Sequence, residues 1–220
     1  MTTSSSCAGI AENRYQNYLA ALLRGDRAGC AAIVQELVAA EVGLKTLYQE
    51  IFQRAMYEVG ELWEQQQISV AVEHLATAIT ERMLTLVQPR AFGGSARAHA
   101  IIVACVGEEF HQLGGRMIAD FCELQGWRGI FLGANASLVE LLKVTAERRP
   151  TVVGLSMSLY SSLPALRQTL DAILAQHPEQ PILVGGQAFR WGGVQALQPY
   201  RTVTYVASLD DLEVQLQRHE

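Results

Sequence analysis

Five short apolar runs separated by helical patterns constrain the second half of the chain more than any other feature. The runs lie at 100–106, 129–132, 152–155, 182–184 and 203–206, and the helical patterns lie near 114–125, 138–148, 163–176, 193–198 and from 210 to the end. Strands that alternate with crossover helices form a parallel sheet with helices on both faces. We therefore predict an α/β domain over residues 98–220, built on a doubly wound, five-stranded parallel sheet.

The first half of the chain instead carries apolar residues at helical spacing almost throughout. Breaks near Gly25 and Gly43 and at Ser69 divide residues 11–91 into four helices, and Ser69 can cap the fourth helix. Four helices joined by short connections predict a small antiparallel bundle. We expect the polar residues 1–10 to be disordered, and the Gly- and Ser-bearing stretch after residue 91 to be a linker.

Composition argues against several classes of protein. Half of the 220 residues are hydrophobic and 18% are charged, which favours buried cores over a disordered chain. The formal net charge is −5, whereas a stand-alone nucleic-acid binder usually shows a basic excess. The sequence has no apolar run of the roughly 18 residues that a membrane span needs, and no secretory signal. We expect a cytoplasmic protein whose four cysteines, which share no Cys-x-x-Cys spacing, are free thiols.

Polar loops follow three of the predicted strands, at the edge where doubly wound sheets bind ligands. The loop after the first strand contains His111 and, two residues earlier, Glu109. An imidazole can ligate a metal through one nitrogen while a carboxylate holds its other N–H. Taken alone, however, a histidine in a loop is more often an ordinary surface residue.

The other two loops give weaker signals on their own. Ser156 and Ser158 follow the third strand, where small hydroxyl residues leave space for a ligand or simply form a common turn. Gly185 and Gly186 follow the fourth strand, and paired glycines let a ligand approach the backbone closely. Because Gly-x-Gly-x-x-Gly is absent, a dinucleotide is disfavoured as the ligand.

Together, the three loops resemble the cobalamin-binding domain family. That family carries Asp-x-His-x-x-Gly, then Ser-x-Leu or Ser-x-Thr, then Gly-Gly on a flavodoxin-like (Rossmann-like) sheet, and here the first motif begins with Glu109. The resemblance covers residues 98–220 and implies that His111 ligates the cobalt of cobalamin from below, in place of the cofactor's own base. It implies that the following residues contact the cofactor: Glu109, Phe110, His111, Gly114, Ser156, Ser158, Leu159, Gly185, Gly186 and Gln187.

The helical half contains a second pattern, in which Trp63 is followed by Glu73 and His74 as Trp-x9-Glu-His. A tryptophan and a histidine in a bundle can be ordinary core residues. The spacing also resembles the four-helix cap of the adenosylcobalamin-dependent, light-sensing regulators of the CarH and LitR type. The resemblance implies that Trp63 packs against the adenosyl group on the upper face, and that Glu73 and His74 contact the cofactor from the cap.

Two departures separate the sequence from those regulators. They begin with a helix-turn-helix DNA-binding domain, which we expect this chain to lack. They also carry a histidine directly after the tryptophan, which ligates cobalt once light has expelled the adenosyl group, whereas this chain has Glu64. His74 or a water would then take that ligand position, or the lit state would be less durable.

The sequence therefore predicts a cobalamin-binding sensor, most simply a photoreceptor that binds adenosylcobalamin, with methylcobalamin as the other form. Its partner is expected to be a protein, such as a transcription regulator, and a homo-oligomer is compatible with the pattern. The alternatives are a corrinoid protein that shuttles a methyl group in a methyltransferase system and a cobalamin carrier with no signal output. The Trp-x9-Glu-His pattern favours the sensor.

Overall fold

The computed structural model describes residues 10–88, 98–107 and 109–220, which fall into two compact units divided between Arg90 and Ala91. The predicted disordered tip, up to residue 9, and the predicted linker at 92–97 lie outside the described residues. No helix in the described part of the chain is long and apolar enough to cross a membrane.

The first unit, described over residues 10–88, consists of four helices, as predicted. Asp26 caps the second helix by accepting from the Gly29 N–H at 2.9 Å, and Ser69 caps the fourth by accepting from the Val72 N–H at 3.4 Å. The third helix runs without a break through two α-helical parts and a π-helical segment between them. The elements are α1 (Glu12–Leu23), α2 (Arg27–Ala39), α3 (Leu44–Thr46), the π segment (Leu47–Gln53), α4 (Arg54–Glu64) and α5 (Val70–Val87).

The π segment is a departure from the plain amphipathic helix that the sequence predicts. Leu47, Ile51, Ala55 and Val59 are all fully buried and recur every four residues. On an α-helix of 3.6 residues per turn such a repeat would rotate by about 40° at each step and leave the core. The wider turn of the π segment reduces this rotation, so the four side chains remain on one buried face.

The second unit, described over residues 98–107 and 109–220, forms the predicted five-stranded parallel sheet, with strand order β2-β1-β3-β4-β5. Adjacent strands are parallel throughout, and the order reverses direction between β1 and β3. The strands are β1 (Ala100–Cys105), β2 (Arg128–Phe131), β3 (Val152–Ser156), β4 (Ile182–Gly185) and β5 (Val203–Tyr205), and the helices are α6 (Leu113–Leu124), α7 (Leu138–Arg148), α8 (Leu163–Gln176) and α9 (Leu209–Arg218).

The central strands are buried on both faces, which explains why they appear in the sequence as continuous apolar runs. All five residues of β3 are buried, as are five of the six in β1. Helix α6 packs with α9, and α7 packs with α8, which is the arrangement expected when helices cover both faces of a doubly wound sheet. The loops after β1 and β3 therefore meet at the point where the strand order reverses, where such folds bind ligands.

Candidate functional site

Glu109 and His111 form a contact pair in the loop after β1. Nδ1 of His111 lies 3.0 Å from Oε1 of Glu109. The Glu109 side chain is 1% exposed, whereas the His111 side chain is 54% exposed. A carboxylate in this position fixes the tautomer and orientation of the imidazole and raises its basicity. His111 therefore has the chemistry of a metal ligand, with Nε2 as the nitrogen that would bind.

Backbone groups of two further loops hold Glu109 in place. The Ser158 N–H, in the loop after β3, donates to Oε2 of Glu109 at 2.8 Å. The Asn135 N–H, in the loop after β2, donates to the Glu109 carbonyl oxygen at 3.1 Å. Asn135 has a φ of +54°, a left-handed conformation that asparagine adopts more readily than most residues. Sequence analysis missed Asn135 because its contribution is a backbone N–H, which every residue except proline has.

The thiol of Cys105, at the end of β1, lies beneath this loop. Its Sγ is 3.6 Å from the carbonyl oxygen of His111. Burial, together with the charge of Glu109, raises the pKa of Cys105 to about 12. The side chain therefore remains a thiol at neutral pH, and it does not compete with the imidazole as a thiolate ligand.

The two glycines after β4 are required by the fold itself. A Cβ on Gly186, whose φ is +120°, would lie 2.2 Å from the carbonyl oxygen of Met157. A Cβ on Gly185 would lie 2.8 Å from the carbonyl oxygen of Val206. Backbone carbonyls of the chain therefore require glycine at both positions, which is a constraint additional to the predicted approach of a ligand. Gln187 follows directly and begins a 3-10 turn.

Gly114 and Ser156 meet where α6 begins and β3 ends. A Cβ on Gly114 would lie 3.7 Å from Oγ of Ser156, an ordinary van der Waals distance. The chain itself therefore has room for a methyl group at position 114. Any requirement for glycine there would come from a bound ligand.

Large apolar side chains are exposed around the carboxyl edge of the sheet. Phe110 beside His111 is 73% exposed, and Trp191 in the 3-10 turn after β4 is 62% exposed. Leu159 and Tyr160, in the loop after β3, are about half exposed as well. Exposed apolar groups gathered on one edge are typical of a binding site for a large, partly apolar ligand.

In the helical unit, Trp63 and His74 are not core residues. Trp63, in the last turn of α4, is 46% exposed, and His74, in the second turn of α5, is more exposed still. Glu73 is largely covered, and its carboxylate accepts a hydrogen bond from the Thr77 hydroxyl at 3.0 Å while lying 3.6 Å from Nε2 of His74. The core interpretation of Trp63 and His74 is therefore wrong, and both side chains are available for contacts outside the bundle.

The possible metal ligands in this site suit a metal ion that is already coordinated by a bound prosthetic group. Within the described ranges there is no group of three or more His, Cys, Asp and Glu side chains that could hold a bare metal ion. A single oriented imidazole, with apolar groups around it, fits a metal already held in a large prosthetic group.

Comparison with known families identifies that group. Models described as B12 binding domain match residues 15–88 and residues 99–206. The chain belongs to the B12-binding domain family. One match covers most of the helical unit and the other covers the sheet with the His111 loop, so the predicted family and the predicted fold are confirmed.

Two curated relatives are transcriptional repressors of Myxococcus xanthus. HTH-type transcriptional repressor CarH is 30% identical over 182 residues, which are 82% of this chain and 60% of the repressor. HTH-type transcriptional repressor CarA is 28% identical over 123 residues, which are 56% of this chain and 42% of the repressor. The chain thus spans less than two thirds of the length of either relative.

Solved structures with the same fold include corrinoid proteins. The monomethylamine corrinoid protein of Methanosarcina barkeri superposes with a TM-score of 0.81 at 14% identity, covering 94% of this chain and 99% of that one. The methanol:cobalamin methyltransferase complex MtaBC from the same organism gives a TM-score of 0.52 at 12% identity, covering 99% and 84%. A cobalamin-binding protein from Desulfitobacterium hafniense DCB-2 gives 0.51 at 21% identity, covering 92% and 97%.

Proposed function

We propose that this B12-binding chain is a light sensor that binds adenosylcobalamin and signals through contact with another protein. The observation that carries the proposal is the His111–Glu109 pair, in which a buried carboxylate orients one exposed imidazole at the ligand-binding edge of the sheet. Similarity to the repressor CarH supports the sensory role, because a match over 82% of the chain must include both units.

His111 is assigned to the lower face of cobalamin. Its Nε2 would ligate cobalt in place of the cofactor's own base, while Glu109 would accept the hydrogen bond from Nδ1 and keep the ring in that tautomer. When bound, adenosylcobalamin supplies a cobalt–carbon bond that light can cleave. Phe110 and Leu159, both exposed, provide apolar surface beside the imidazole.

The nucleotide tail of cobalamin is assigned to the loops after β3 and β4. Hydroxyl groups and peptide N–H groups in these loops can bond the oxygen atoms of the ribose and phosphate. The residues we assign to this subsite are Ser156, Ser158, Gly185, Gly186 and Gln187. Gly114, at the start of α6 beside Ser156, is assigned as a further contact of the cofactor.

Trp63, Glu73 and His74 are assigned to the upper face. The indole of Trp63, which is half exposed, would pack against the adenosyl group, and photolysis would then remove one of its contacts. A ligand shifts the equilibrium between two conformations only to the extent that it binds them with different affinities. Loss of the bulky adenosyl group would remove contacts that favour one conformation over the other. The net charge of −5 favours a protein, such as a transcription regulator, as the receiver of this signal.

A methyl shuttle is the second candidate. The fold of the monomethylamine corrinoid protein superposes on nearly the whole of this chain, and that favours it. In this alternative the His111–Glu109 pair holds cobalamin in the same way. The chain then presents a methyl group to an enzyme partner, and the upper-face residues serve to protect it.

The two candidates are separated by loading the full chain with adenosylcobalamin in the dark and recording its absorption spectrum and gel-filtration volume before and after green light. We expect light to change the spectrum and, as a consequence, the size of the assembly or its binding to a candidate regulator. Trp63→Ala, loaded in the same way, is the control. Light should still change its spectrum but should no longer change the size of its assembly or its binding to the regulator. Photolysis without any change in the protein would contradict the sensor and favour the methyl shuttle.

A further inference from the structure

Among the residues that the structure describes, Asn135 is the one non-glycine residue with a left-handed backbone that no helix end explains. Four non-glycine residues there have a positive φ. Three of them, Glu41, Gln66 and Arg149, lie just after helices, and each donates its N–H to a carbonyl in the last turn of its helix. Left-handed residues commonly end helices in this way. Asn135, with a φ of +54°, follows no helix, and its N–H instead crosses to the Glu109 carbonyl oxygen at 3.1 Å.

The loop that carries Asn135 is fixed at both of its ends. The Leu132 N–H donates to the Val103 carbonyl oxygen at 2.9 Å, which extends the pairing of β2 with β1. Ser137 caps α7 by accepting from the Glu140 N–H at 3.2 Å. Because Asn135 lies between these two anchors, its φ decides where its N–H points. An extended conformation at this position would turn the N–H away from the neighbouring loop.

The backbone conformation of Asn135, rather than its side chain, makes this contact. The side chain is exposed and forms no hydrogen bond or ion pair with the residues that the structure describes. Glycine and asparagine reach the left-handed region at small cost, whereas a β-branched residue is strained there. Position 135 therefore suits asparagine or glycine because of the backbone that it must adopt.

The contact bears on His111 through Glu109. Glu109 is buried, and its two side-chain oxygens are engaged by the Ser158 N–H and by Nδ1 of His111. The Asn135 N–H holds the main chain of the same glutamate. A rotation of the Glu109 peptide would move its carboxylate away from these contacts, and the imidazole would then lose the partner that orients it.

We propose that Asn135 is a positioning residue for the lower ligand of cobalamin, and that it acts through Glu109 on His111. The inference rests on the proposed function, since it requires His111 to ligate cobalt. Loss of the left-handed conformation at position 135 weakens this ligation although the side chains of Glu109 and His111 are unchanged.

The test compares full-length variants at position 135 by two measurements. Absorbance titration with adenosylcobalamin in the dark gives the Kd. Electron paramagnetic resonance of the bound cobalt(II) form, in protein labelled with nitrogen-15, shows whether the lower nitrogen belongs to the protein or to the cofactor, because the two isotopes split the cobalt signal differently.

We expect Asn135→Val to weaken binding by about tenfold and to lower the fraction of cobalt with a protein nitrogen, because the groups that orient a metal ligand contribute about 10–100-fold to affinity. Asn135→Gly, which adopts the same φ without strain, should bind and ligate as the wild type does.

Arg149→Val is the matched control, because it places the same β-branched side chain at another left-handed position, with a φ of +44°, at the far end of α7. It should lower the unfolding temperature of the cofactor-free chain about as much as Asn135→Val does, yet leave the affinity and the lower ligand unchanged. In a His111→Ala background, Asn135→Val should weaken binding little further, since the two residues act together.

Unchanged affinity and ligation in Asn135→Val overturn this inference and leave the proposed function standing. An equal loss in Asn135→Gly or in Arg149→Val also overturns it, since the effect would then belong to the asparagine side chain or to general strain. A wild-type chain that binds no cobalamin, or binds it without a protein nitrogen, overturns the assignment of His111 and this inference with it. If Asn135→Val does not fold, the same two measurements on the less strained Asn135→Ala decide.

Discussion

Replacing Glu109 by glutamine tests whether the buried carboxylate controls the imidazole. Both of its oxygens face a donor, since Oε2 accepts from the Ser158 N–H at 2.8 Å and Oε1 lies 3.0 Å from Nδ1 of His111. Glutamine has the same shape but only one acceptor oxygen. If that oxygen serves Ser158, the amide NH₂ faces His111 and forces the tautomer with the proton on Nε2, which cannot ligate a metal. If it serves His111, the Ser158 N–H loses its acceptor.

Either arrangement lowers the stability of the site or its affinity for the cofactor, and both effects can be estimated. An unsatisfied donor in this covered position costs about 1–3 kcal/mol, and changes to a residue that orients a metal ligand typically lower affinity by about 10–100-fold. We therefore expect Glu109→Gln to weaken cobalamin binding by about 10–100-fold while the cofactor-free chain keeps its fold.

Absorbance titration with cobalamin gives the affinity and the axial ligation, and circular dichroism checks the fold. Glu109→Asp is the matched control, because it keeps two acceptor oxygens and is the residue of the commoner family motif. The reasoning is refuted if Glu109→Gln binds with unchanged affinity and spectrum.

Three further substitutions test the remaining assignments. His111→Ala should weaken binding and return the cofactor to a base-on or water-ligated absorption spectrum, and an unchanged spectrum would remove the lower-ligand assignment. Trp63→Ala should destabilise the cofactor-free chain by much less than the roughly 3–5 kcal/mol lost with a buried tryptophan, since Trp63 is 46% exposed, yet it should alter the preference between adenosylcobalamin and methylcobalamin. Calorimetry and titration measure the two effects. Glu64→His should slow ligand exchange after illumination and move the spectrum toward two axial nitrogens, which stopped-flow exchange with imidazole can detect.

Much of the fold could be predicted because the capping residues and the pattern of buried residues indicate the same helices and strands. Helix α7 was predicted at its observed bounds, and Ser137 caps it by accepting from the Glu140 N–H at 3.2 Å. The bounds of α8 were also predicted correctly, and each strand is within one residue of its apolar run. Strands buried on both faces and helices with polar caps leave little freedom in where they begin and end.

The expectations from sequence are wrong at positions where tertiary packing determines which side chains are buried. Helical spacing groups Leu75 with the apolar face of α5, but Leu75 is about half exposed, because the buried stretch of that helix begins only at Ala76. Helical spacing groups Ile33 and Val38 on the apolar face of α2, whereas the residues buried there are Cys30, Val34 and Leu37. Hydrophobic periodicity gives a face only to within about one residue, and the neighbouring helices select which side chains it buries.

At the site, side-chain chemistry could be predicted and backbone chemistry could not. The loop positions of Glu109 and His111 follow from their residue types and from the strand before them. The Ser158 and Asn135 contacts to Glu109 use peptide N–H groups, which leave no mark in the sequence. The sequence predicts Gly186 from the needs of a ligand, and the structure adds a second reason that the sequence does not show, because the fold needs glycine there to pass the Met157 carbonyl.

The glycines separate what the fold requires from what a ligand requires. Gly185 and Gly186 are fixed by close backbone contacts, and Glu109 is held by peptide groups of two loops, so contacts within the chain fix the geometry around His111. Gly114 has room for a methyl group among the described residues. If Gly114 proves intolerant of alanine for cofactor binding but not for folding, the constraint must come from the cofactor. When the residues of a binding site are already ordered, less of the binding free energy is lost in ordering them. More of that free energy can then distinguish one upper ligand from another.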